Sequence, residues 1–151
     1  PPLETNIVYI CYFPKSKIIK VGKTKDWESR ERTYKKGEGE KPETKEYMKL
    51  IYWYKTITFG DDVIDRYLMG LTEHWLIDQA KMYDKFDGDE FFQADEKLEI
   101  LKEVQSSIGK LSIQDLLKLR TDKQIKRFCY GNSEYKSQEL YDKLMELKYN
   151  K

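Results

Sequence analysis

The stretch from Ile7 to Gly22 constrains the fold more than any other. Ile7-Val8-Tyr9-Ile10-Cys11-Tyr12-Phe13 is β-branched and aromatic, with no breaker before Pro14, and such a run reads as a strand. Pro14-Lys15-Ser16-Lys17 supplies a turn, because proline presets φ and small polar residues tolerate the bend. Ile18-Ile19-Lys20-Val21-Gly22 then resumes a strand, with Gly22 marking a bulge or a close backbone approach. Side chains alternate across a strand, so Tyr9 shares a face with Ile7, Cys11 and Phe13, and Lys20 shares one with Ile18 and Gly22. A lysine flanked by isoleucines and a valine is an odd occupant for a solvated position.

Asp26 is a suitable N-cap for a helix to about Lys36, stopped by Gly37. Its apolar residues, Trp27 and Tyr34, lie seven apart on one face with Arg30 between them, which predicts an inward arginine with a functional or paired role. Residues 37–45 read as a loop. The run Met48-Lys49-Leu50-Ile51-Tyr52-Trp53-Tyr54 reads as a third strand whose aromatics pack in the sheet. Gly60-Asp61-Asp62 opens a helix over about Val63 to Met82, with Ile64, Tyr67, Leu68, Leu71 and Trp75 as its apolar stripe. Glu73 falls off that stripe, in line with Met69, Ile77 and Ala80. A carboxylate among apolar residues needs a partner when buried, and a metal ion is one. His74, the single histidine, cannot build a zinc site and is expected to pack.

Lys81 to Gly88 reads as a loop without the spacing of a calcium hand. Phe91-Phe92 reads as a short edge strand, followed by a helix from Glu96 to Ile108. Together these elements predict an α/β (α+β) domain over residues 5–108, with a small three-stranded mixed sheet flanked by helices. Residues 109–151 form a helical C-terminal extension. In it Ser112-Ile113-Gln114-Asp115 is a capping box, Thr121 caps a second short helix, and Leu140, Leu144 and Leu147 recur at helical spacing. The extension either adds nucleic-acid contacts or packs back on the sheet.

Charge enters through its distribution, since the net charge is only +1. Residues 1–60 hold 13 Lys/Arg against 8 Asp/Glu, residues 61–104 hold 5 against 13, and residues 105–151 hold 10 against 6. A basic start and a basic tail around an acidic middle suit a phosphate backbone. Lys15, Lys17, Lys23, Arg32, Lys35 and Lys36 are the cations expected to meet DNA on the hairpin and first helix. No apolar run approaches a membrane span and no charged-then-apolar leader opens the sequence, so no membrane partner is expected. Cys11 and Cys129 are too few for a disulfide framework, which points to a reducing intracellular compartment, cytoplasmic or nucleoid-associated.

Several of these residues, in this order, resemble the GIY-YIG endonuclease superfamily. Val8-Tyr9-Ile10 stands for the end of its first motif and Lys20-Val21-Gly22 for its second. Lysine replaces the commoner tyrosine there, as in some restriction enzymes and a phage and large-virus branch. That branch also shows Gly-Lys-Thr, as in Gly22-Lys23-Thr24, then an arginine six residues later, as at Arg30. Glu73 in Thr72-Glu73-His74-Trp75-Leu76 and the segment Gly88-Asp89-Glu90-Phe91-Phe92 match its later features, so the likeness covers roughly residues 7 to 95. The resemblance implies hydrolysis of DNA phosphodiesters with one divalent metal, Mg²⁺ or Mn²⁺, held by Glu73. Tyr9 is implied as general base or its relay, Lys20 as the charge favouring the Tyr9 phenolate, Arg30 as the phosphate ligand, and Tyr34 as an aid to the water. The first-motif glycine is missing and the second-motif tyrosine is replaced. The alternative is therefore a catalytically inactive nucleic-acid or protein-binding module on the same scaffold.

Overall fold

A computed structural model describes residues 4–15, 17–36, 49–80, 85–87, 91–93, 106–131 and 137–150. The chain divides into two compact units, Pro1–Gly109 and Lys110–Lys151.

In the first unit, β1 (Glu4–Phe13) and β2 (Ile18–Asp26) form the expected hairpin, with Lys17 carrying the left-handed turn at φ 55°. Tyr9 pairs with Gly22 and Cys11 with Lys20. Asp26 ends β2 and caps α1 (Trp27–Lys35), accepting from Ser29 N at 3.1 Å. β3 (Lys49–Lys55) pairs antiparallel with β1, with an irregularity between Ile10 and Cys11 where Ile51 is the extra residue. Asp61 accepts from Val63 N and Ile64 N and starts α2 (Asp62–Ala80). β4 (Lys85–Asp87) and β5 (Phe91–Gln93) complete a five-stranded sheet in the order β3-β1-β2-β5-β4.

The α+β class and the three long strands are as the sequence predicts, but two details differ. Every pairing among the described strands is antiparallel, so the sheet is not mixed. Phe91–Gln93 is no edge strand either: it lies between β2 and β4, and β4 arises within residues expected to be a loop. A three-residue strand forms because a neighbour supplies hydrogen bonds, not because of propensity. The loop expected over residues 37–45, and most of the helix expected from Glu96 to Ile108, lie outside the described residues.

The two helices of this unit cover opposite faces of the hairpin. Ile7, Tyr9, Cys11 and Phe13 form one buried cluster with Trp27 and Tyr34 of α1. Val8, Ile10, Ile19 and Val21 alternate to the other face and are also buried, and α2, whose Ile64, Leu68 and Leu76 are buried, packs against both strands. Lys23, on that same face, reaches Gly70 of α2.

The second unit holds α3 (Ile113–Leu117), α4 (Asp122–Tyr130) and α5 (Ser137–Tyr149). Complete capping boxes start α3 (Ser112 with Asp115) and α4 (Thr121 with Gln124). Helix α5 packs on both of the others, and Leu116, Leu117, Ile125, Cys129, Leu140 and Leu144 are buried. Lys148 is buried too. Its ammonium donates to Arg120 O and to Asp122 Oδ1, both at 2.7 Å.

Candidate active site

The Tyr9 ring lies flat across Gly22, its partner on β2. A Cβ built on Gly22 would sit 2.5 Å from Tyr9 Cζ, so only glycine leaves room for the ring. The glycine therefore serves a close approach and not a bulge. Tyr9 is fully buried, with the Trp27 ring tilted against it at 4.9 Å between centroids.

Three residues from three elements meet here. The Tyr9 and Tyr34 hydroxyls are 3.4 Å apart, and Lys20 Nζ donates to the Tyr34 hydroxyl at 2.5 Å. Tyr34 also sets the edge of its ring against Phe13. Lys20 is buried, and its head is satisfied by Tyr34, as a desolvated ammonium requires. The expectation that Lys20 acts directly on Tyr9 is thus altered: its charge meets Tyr34, one phenol away.

Electrostatics sharpen the point. Burial pushes the Tyr9 phenol well above its ordinary value of 10.0, and the neighbouring Tyr34 and Cys11 add to the shift. Arg30 is the cation that pulls it back down. Burial likewise lifts the Cys11 thiol to about 12, against the opposing charge of Lys20. Tyr9 is a neutral phenol in this state.

Arg30 itself is exposed, not inward as the spacing predicts. A long side chain at the margin of an apolar face carries its guanidinium to water. It lines an open cavity of about 450 Å³ with Thr24, Lys25, Asp26, Ser29 and Thr33, at the junction of β2 and α1. Lys15, Lys17, Lys23, Arg32 and Lys36 are exposed, while the Lys35 side chain lies outside what is described.

Glu73 is buried, 7 % exposed, in line with buried Met69 and Ile77 as expected. Lys23 Nζ lies 3.8 Å from Glu73 Oε1, and a Cβ on Gly70 would stand 3.3 Å from the same ammonium. Sequence reasoning places Lys23 only on the DNA face and misses this pairing. The available signal is Gly70, a glycine inside an otherwise apolar helix, which marks a close approach. Lys20 and Lys23 are three apart on β2, so the phenol pair and the carboxylate adjoin that strand from opposite faces. His74, expected to pack, is exposed.

Among the described residues no group of three or more His, Cys, Asp or Glu side chains is placed to hold a metal ion. A single buried carboxylate suits a cation that keeps most of its own water, as Mg²⁺ does. Glu73 is such a carboxylate, and a cation bound there would share it with the Lys23 ammonium 3.8 Å away or displace that ammonium. No helix among the described residues is long and apolar enough to cross a membrane. Compared with family models, with curated proteins and with solved structures, the chain finds no match.

Proposed function

We propose that the chain is a metal-dependent DNA endonuclease of the GIY-YIG kind. Its main support is the hydrogen-bonded chain Tyr9–Tyr34–Lys20, drawn from three elements, close enough to Arg30 for that charge to act on Tyr9. Hydrolysis of a phosphodiester needs a base for the water, charge on the phosphate and help for the leaving oxygen. The Arg30 guanidinium, exposed beside an open cavity, holds the scissile phosphate as a planar fork. To act as the base, the phenol pair first gives up its own proton to solvent; the resulting phenolate, its charge offset by Arg30 and Lys20, then takes the water's proton. Glu73, which adjoins β2 from the face opposite the phenol pair, would hold Mg²⁺ or Mn²⁺, and the cation would supply Lewis-acid stabilisation of a phosphate oxygen. Lys15, Lys17, Lys23, Arg32, Lys35 and Lys36 contribute sequence-independent attraction to the backbone.

The raised phenol at Tyr9 and the ammonium beside Glu73 favour a second reading, a binding module that keeps the scaffold without turnover. Incubating the chain with supercoiled plasmid in Mg²⁺, in Mn²⁺ and in EDTA separates the two. Nicking that requires the cation supports the nuclease. Retention of plasmid without nicking in either metal supports the module.

A further inference from the structure

Helix α4 sorts its side chains more sharply than a surface helix needs. Ile125 and Cys129 are buried, whereas Lys123, Lys126, Arg127 and Tyr130 are all exposed. Those four occupy positions i, i+3, i+4 and i+7, one continuous face. Lys126 Nζ stands over the Tyr130 ring at 5.8 Å, and the Tyr130 hydroxyl donates to Gln138 at 2.8 Å. The single carboxylate of α4, Asp122, is withdrawn from this face by Lys148 and by the Tyr149 hydroxyl, each at 2.7–2.8 Å. Helix α5 is mixed in sign. Its exposed carboxylates Glu139, Asp142 and Glu146 share a face with half-buried Lys143, so the uniformly cationic surface of the second unit is the one on α4.

We propose that the Lys123–Lys126–Arg127 face of α4 docks on the phosphate backbone of duplex DNA. An α-helix with side chains is about 10–12 Å across, close to the roughly 12 Å width of the major groove. Lys126 and Arg127 stand about 4.5 and 6 Å along the α4 axis from Lys123, so the three cations present one cluster to a phosphate backbone. The choice of DNA as the polyanion rests on the nuclease reading. The surface itself belongs to the second unit and uses none of the residues of the candidate active site.

The test is binding of the full chain to a labelled duplex, by fluorescence anisotropy in EDTA so that no cleavage occurs, across a KCl series. Replacing Lys123, Lys126 and Arg127 together by alanine lowers the slope of log K against log salt by about 2.7, roughly 0.9 for each phosphate left without its cation. The charge-keeping triple, Lys123→Arg, Lys126→Arg and Arg127→Lys, retains the wild-type slope. An unchanged slope in the alanine variant overturns the proposal, as does an equal fall in the charge-keeping variant, which marks a structural role. A chain that shows the predicted fall in slope but never nicks plasmid sinks the nuclease reading and leaves this surface standing. A chain that nicks plasmid with its slope unchanged does the reverse.

Discussion

The Lys20 ammonium is hydrogen-bonded to Tyr34 at 2.5 Å, and Tyr34 in turn touches Tyr9 at 3.4 Å. The hydrogen-bonded route from Lys20 to Tyr9 therefore runs through Tyr34. In a pH–rate series, Lys20→Met moves the ascending limb to higher pH and lowers the maximal rate. In a Tyr34→Phe background the same substitution adds little, because its intermediary is gone. The double-mutant cycle should show coupling within about 0.5–3 kcal/mol. Additive effects would mean that Lys20 reaches Tyr9 by another route.

Gly22 and Tyr9 are matched as floor and ring. Gly22→Ala forces the new methyl into the Tyr9 ring, and overpacking of this kind costs about 1–3 kcal/mol. Denaturant unfolding should show that destabilisation, and most of it should disappear in the double variant Gly22→Ala with Tyr9→Ala, measured against Tyr9→Ala alone. A destabilisation that persists without the ring would place the strain in the backbone instead.

Much of this architecture is legible locally. The hairpin, the third strand, the caps at Asp26 and Thr121 and the capping box at Ser112 depend on residues within a few positions of one another, and the local sequence reports them. The alternation that groups Ile7, Tyr9, Cys11 and Phe13 predicts the buried cluster that forms under α1. Contacts set by tertiary placement are another matter. Lys85-Phe86-Asp87 carries no strand signature and becomes β4 only because β5 lies beside it. The spacing that puts Arg30 between Trp27 and Tyr34 fixes its angular position but not the reach of its side chain. Lys148 reads in the sequence as one more tail cation, yet it is buried and holds the end of α5 to Arg120 and Asp122.

That last contact has a pH signature. Hydrogen bonds from Lys148 and then from Tyr149 hold the Asp122 carboxyl below its ordinary value of 3.8. A depressed carboxylate contributes stability that is complete above its unfolded-state value and is lost as pH falls through the lower folded value. The second unit should therefore weaken on acidification below about pH 4. Asp122→Asn should flatten that part of the profile, as followed by circular dichroism. An acid limb identical in the two proteins would show that Asp122 does not carry it.

Glu73 is the only carboxylate assigned to the metal, so the account stands most directly on Glu73→Gln. Single-turnover cleavage of supercoiled plasmid at saturating Mg²⁺ should be abolished in this variant. Duplex affinity in EDTA should be unchanged or slightly tighter, because a negative charge near phosphate is removed. Cleavage by Glu73→Gln at the wild-type rate would contradict the account.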